Sequence, residues 1–293
     1  LTIGGLEDVD LSEITISGNG NTDKSLGWVD VPDLVLLMSS WTTGNAANAV
    51  DHGHMGFHAA AWDGLRDESQ GGFFIASEDG QSSKEDTARS ITEGNWQLLA
   101  EDAGRDADFN IEVVLDPASH GLGGGYRLTT TNHGGTGSCR IYALAIRGVL
   151  AKYITAVAPT ATGINSIYGT GWQPEAALTW NVNKTAMGDS NHACFSLGMT
   201  DGPNEFNMWL RDKHNVSTSV SERRWQNDVF CRVEDHANSN NNFVSNLAGF
   251  SPDRLDENAT TVNAAYQRGM LMLARKPNLR SRRGRRRGRG TTL

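Results

Sequence analysis

Three histidines crowd one short stretch, Asp51-His52-Gly53-His54-Met55-Gly56-Phe57-His58, and they are the residues best placed for chemistry. Side chains alternate along a strand, so His52, His54 and His58 would share one face. Imidazoles set out in this way can ligate zinc or copper. The competing reading is the polar outer face of an ordinary strand. It is favoured by the glycines at 53 and 56, and by the second half of the chain, which keeps only His192 at the matching place. The trio is the candidate metal site, but the expectation is no metal and no cofactor.

Other catalytic patterns are weaker. Gly18-Asn-Gly-Asn-Thr-Asp23-Lys24-Ser25 ends like a phosphate loop, but Asp23 stands where glycine is needed and would meet phosphate with like charge. There is no G-x-S-x-G and no H-E-x-x-H. Carboxylates such as Asp63, Glu78, Asp201 and Glu205 are plentiful and read as solvated turn residues. A glycosidase pair would need two of them about 5–9.5 Å apart across a sugar. The expectation is a protein that is not an enzyme.

Eight tryptophans are many for this composition. Trp62, Trp209 and Trp225 fall in or beside loop-like stretches and are the candidate ligand or interface residues, since an exposed indole stacks on sugar rings or anchors a protein contact. Burial in the fold is the competing and favoured reading. The three cysteines, Cys139, Cys194 and Cys231, are odd in number and without metal spacing, so they read as reduced, small hydrophobes.

These residues must be held by strands. Around His54–Ala61 and again around His192–Met199 apolar and other residues alternate with period two. Ile111–Leu115, Ile141–Ile146 and Met270–Leu273 read as further strands, and Gly, Asn, Asp and Ser clusters separate them. A short helix is expected within Thr87–Ala100. The longest apolar run, Leu34–Met38, is far short of a membrane span of about 20 residues. No membrane insertion is expected, and no leader pattern is seen.

The chain also states its plan twice. Gly27-Trp28 and Pro32 answer to Gly171-Trp172 and Pro174; His54 to Asp63-Gly64 answers to His192 to Asp201-Gly202; Arg140–Arg147 answers to Arg268–Arg275. A repeat this long means one domain built twice. The expected organisation is all-β: two tandem β-sandwich, jelly-roll-like domains over 1–148 and 164–276. A small-residue linker over 149–163 joins them, and a disordered arginine-rich tail follows over 277–293.

Net charge is −8, and its distribution is uneven. Nine of the 26 basic residues stand at or after Arg275, leaving 17 basic against 34 acidic residues over 1–274. A body of net −17 repels nucleic acid and anionic membrane over most of its surface. In the tail, Arg280, Arg282, Arg283, Arg285, Arg286, Arg287 and Arg289 offer a docking segment for packaged nucleic acid or for the acidic body of a neighbouring copy.

The second half resembles a repeat domain of tailed-bacteriophage virion structural proteins, of tail or decoration type. The resemblance rests on Gly171-Trp-Gln-Pro174-Glu-Ala-Ala-Leu178, Phe195-Ser-Leu-Gly-Met-Thr-Asp-Gly202, Ser217–Arg224, Phe243-Val-Ser245, Gly249-Phe250 and Gly269–Ala274. It covers 164–276, and through the internal repeat it extends to 20–148. None of these motifs is catalytic. The resemblance implies a virion location and a structural protein (capsid decoration, head–tail accessory or tail component) assembled in multiple copies with other virion proteins. The alternatives are a carbohydrate-binding module that recognises host glycan, and a capsid shell protein with a basic nucleic-acid-contacting arm.

Overall fold

The computed structural model describes residues 6–39, 52–62, 68–78, 87–99, 107–131, 138–191, 193–212, 221–234 and 241–277. The arginines from Arg280 to Arg289 lie outside them. The described chain is nearly all β. Its first half supplies β1 (Asp8–Ile16), β2 (Gly20–Ser25), β3 (Leu34–Ser39), β4 (His52–Trp62) and β5 (Glu68–Glu78). These are followed by β6 (Thr87–Glu93), β7 (Trp96–Leu99), β8 (Ala107–Val114), a one-turn helix α1 (Pro117–His120), β9 (Gly125–Thr131) and β10 (Cys139–Arg147). The second half supplies β11 (Val149–Val157), β12 (Gly163–Tyr168), β13 (Ala176–Asn181), β14 (Gly188–Asn191) and β15 (Ala193–Thr200). It ends with β16 (Glu205–Asp212), β17 (Ser221–Asn227), β18 (Cys231–Glu234), β19 (Asn241–Ser251), β20 (Arg254–Val262) and β21 (Gln267–Arg275). No helix among the described residues is long and apolar enough to cross a membrane.

The duplication reappears in the sheets. The first inner sheet runs β1-β10-β3-β4-β5-β6, and the second runs β11-β21-β13-β15-β16-β17. The first outer sheet runs β2-β9-β8-β7, and the second runs β12-β20-β19-β18. Strand for strand the two orders are the same. β14 has no counterpart among the described residues: it leaves the second half and pairs antiparallel with β6, closing that edge of the first inner sheet.

Three apolar layers stack through the molecule. Ile14, Val35, Phe74, Trp96, Ile111 and Leu128 bind the first inner sheet to the first outer one. Ala177, Phe230, Phe243, Leu255, Met270 and Met272 do the same in the second half. Between the two inner sheets lies a third core, in which Leu34, Phe73 and Ile91 meet Tyr153, Trp180, Phe195 and Leu271. Phe73 stacks on Phe195 with centroids 4.6 Å apart, and Trp180 meets Phe57 edge-on at 5.1 Å. Strands such as β3 are thus buried on both faces, which explains their unbroken apolar sequence.

Several expectations change here. The stretch 149–163, expected as a linker, carries β11, whose Val149, Ala151 and Tyr153 point into the layer between the inner sheets. The halves turn from one into the other at a single residue, Gly148, in the left-handed region at φ 99°. Asp33 holds that corner: its carboxylate accepts from the amides of Gly148 at 2.7 Å and Val149 at 3.3 Å, and the Lys276 ammonium lies 2.8 Å away. Asp33→Ala leaves both amides and the ammonium without their buried acceptor. A loss of roughly 2–4 kcal/mol is expected in urea unfolding.

The helix expected within Thr87–Ala100 is instead the pair β6 and β7, broken by Gly94 at φ 79°. The closing strands correspond one residue away from the sequence match. Matching Arg140 with Arg268 would set Ala143, which faces the first outer sheet, on Leu271, which faces inward. Both strands are nearly continuous in apolar residues, so nothing in the sequence sets their phase.

Candidate functional site

The crossing of the inner sheets leaves an apolar cleft of about 330 Å³ at one end of their shared core. Met38 of β3, Met55 and Phe57 of β4 and Tyr142 of β10 form one wall. Leu197 of β15 and Met208 of β16 form the other. The register explains the grouping: Tyr142 pairs with Met38, Met38 with Phe57, and Leu197 with Met208. Met38 is 56% exposed, so the cleft opens to solvent. Methionine side chains adapt their shape cheaply, and a cleft lined by them suits packing against another apolar surface.

Beyond Met208 the same face continues to Trp225, its cross-strand partner on β17, which is 68% exposed. Of the three tryptophans singled out in the sequence, this one presents its ring to solvent. Trp62 is half-buried against the first outer core. Trp209 is buried, on the opposite face of β16 from Met208. The guanidinium groups of Arg211, Arg224 and Arg232 lie about 6 Å from its ring, a cation–π arrangement inside the fold. Beside them Glu234 is buried in an ion pair with Arg232, and desolvation outweighs that arginine to raise its pKa. Trp209 is therefore part of a buried polar cluster and is not placed to stack on a ligand.

His58 does not lie on a polar outer face. His58 is fully buried against Trp96, their rings stacked at 5.9 Å. The Gln70 amide fixes its state. Gln70 Oε1 accepts from the amide of Val113 at 2.9 Å while its Nε2 donates to the Val113 carbonyl at 3.0 Å, tying the inner sheet to the outer one. With the amide so oriented, His58 Nε2 lies 3.1 Å from Oε1 and must be the protonated nitrogen. The ring is thus a neutral core histidine with that nitrogen already engaged. The side chains of His52 and His54 lie outside the described residues, and no group of metal-ligating side chains gathers among those described.

Burial pushes the His58 ring down to about 4, outweighing the opposing effect of the Gln70 hydrogen bond. The unfolded chain, titrating near 6.5, then binds more protons than the folded one at mildly acid pH. Stability is complete above about pH 6.5 and falls progressively toward about pH 4, by roughly 3 kcal/mol from this ring. Urea unfolding at a series of pH values should show that slope, and His58→Gln should flatten it.

The cleft and the exposed Trp225 were not legible as one surface in the sequence. Met38, Met55, Met208 and Trp225 stand far apart along the chain and share no motif; only the crossing of two sheets gathers them. Comparison with family models, with curated proteins and with solved structures finds no match.

Proposed function

We propose that this chain is a non-enzymatic structural protein of a virion, assembled in multiple copies as a capsid decoration, head–tail accessory or tail component. In this reading its halves are two tandem jelly-roll-like sandwiches. The virion assignment comes from the resemblance of 164–276 to a phage repeat domain. The observation that carries the structural role is the layer between the two inner sheets, which makes a duplicated sandwich into one four-layer body. Such a body presents broad faces and open sheet edges, the surfaces through which lattices and rings are built.

Cryo-electron microscopy of the native assembly tests the reading. Copies of this chain on the outside of a capsid or tail are the expected result. Basic tails directed at packaged nucleic acid would favour the shell-protein alternative, and absence from any particle would overturn a virion role. The exposure of Trp225 favours one second reading, recognition of a glycan. Binding on a glycan array that disappears in Trp225→Ala would establish it.

A further inference from the structure

Two of the open edges carry opposite chemistry. Among the described residues, β1 ends the first inner sheet and pairs only with β10, and β17 ends the second and pairs only with β16. Along β1 stand Asp8, Asp10 and Glu13 with no basic residue, and Leu11 is 74% exposed. Asp8 already pairs with Arg147 at 2.5 Å and Glu13 with Arg140 at 2.9 Å, so a second arginine would share the Glu13 carboxylate. Along β17 stand Arg223 and Arg224, both exposed, and Trp225; its one acid, Glu222, pairs with Arg211 at 2.6 Å. Large apolar side chains this exposed, on strand edges with unpaired backbone groups, invite another strand.

The faces match as well as the charges. Ile14 and Ile16 enter the first outer core, so Val9, Leu11 and Glu13 lie on the inner side of the sheet. On β17, Arg223 and Trp225 sit across from Leu210 and Met208, which also lie on the inner side. With the two edges antiparallel and their inner sides continuous, setting Leu11 opposite Trp225 brings Glu13 opposite Arg223. On the other side the same register sets Asp10 opposite Gln226 and Ser12 opposite Arg224. No like charges meet, and all seven residues of β17 find a partner between Val9 and Thr15.

We infer that copies of this chain join head to tail, β1 of one copy adding to β17 of the next. The contact is heterologous, so an open series always ends in one free β1 and one free β17, and it closes into a ring or continues as a filament. Backbone hydrogen bonds supply the ladder, Leu11 on Trp225 the apolar centre, and Glu13 with Arg223 the direction. The inference deepens the assembly reading by naming the surfaces through which copies meet.

Leu11→Lys and Trp225→Glu test it, because both side chains are exposed and each change disables one edge. Mass would be measured by light scattering and sedimentation over a concentration series, with thermal melts confirming that each variant is folded. The wild-type chain is expected to grow in mass with concentration. Each variant alone is expected to be monomeric, with association weakened on the order of a hundredfold. An equimolar mixture is expected to give dimers and nothing larger, since one intact β1 meets one intact β17. A wild-type monomer at the highest soluble concentration overturns the inference, as do variants that keep the wild-type mass. So does a Trp225→Glu chain that still dimerises, which would mean β1 pairing with itself. Particle imaging decides the virion role separately, so a solution monomer removes the edge pairing and leaves that reading standing.

Discussion

Replacing Arg268 with methionine is expected to destabilise the protein by about 3–5 kcal/mol, the largest single effect we foresee. Arg268 and Glu257 are both completely buried, and their side chains meet through two hydrogen bonds of 2.7 and 2.8 Å. Burial pushes the Glu257 carboxyl up, but the Arg268 charge together with hydrogen bonds from Arg268, Ser245 and Asn165 holds it below the usual carboxylate range. Without the guanidinium that carboxylate would be left charged in an apolar layer, or forced to take up a proton. The pair therefore contributes stability above about pH 4.5 that is lost as the pH falls further. On the corresponding strands of the first half the same layer is built from Leu128 and Ile141. The double variant Glu257→Leu, Arg268→Met should accordingly recover most of the loss, because removing both charges removes the desolvation cost. Chemical denaturation of the two single variants and the double one measures the coupling directly. Additive losses would show that the pair does not act as a unit.

The second large effect concerns Trp180, fully buried between the inner sheets. Its ring stacks on Tyr153 at 5.6 Å and meets Phe57 of the other half. Trp180→Ala removes the centre of the layer that both halves share, and a loss of about 3–5 kcal/mol is expected. The form of the transition matters more than its size. If the shared layer couples the halves, wild-type unfolding is one cooperative transition by every probe, and Trp180→Ala shifts it or splits it in two. Two separate transitions in the wild type would mean that each sandwich stands on its own core. The same layer explains Gly269, where an added Cβ would lie 2.2 Å from the Trp180 indole nitrogen, so that Gly269→Ala displaces a ring with no free space around it.

Much of the strand framework could be read from residue order. Alternation at 55–61 and 193–199 marks β4 and β15, and the paired Trp-Pro openings mark equivalent strands. What could not be read was phase and partner. The 149–157 segment looks like a hinge because alanine and threonine are small, yet smallness is what lets β11 cross closely over another sheet. Residues 87–99 lack a clean period because Gly94 breaks them into two strands. In the sequence His58 reads as part of a polar strand face, because a polar side chain is usually outside, whereas burial is the favoured reading of Trp209 and exposure for a ligand its alternative. Their burial depends on Gln70 and on an arginine cluster contributed by other strands, which no local pattern announces.

The single-residue corner at Gly148 has a mechanical side. The amide of Glu7 donates to the Arg147 carbonyl, and the amide of Lys276 donates to the carbonyl of Gly148. Arg147 also gathers Glu7, Asp8 and Asp30 around its guanidinium. Glu7 and Lys276 are thus fastened to adjacent residues of the same turn. A pull applied between Glu7 and Lys276 therefore loads that one knot of hydrogen bonds and ion pairs before it reaches the β1–β10 and β11–β21 ladders that start beside it.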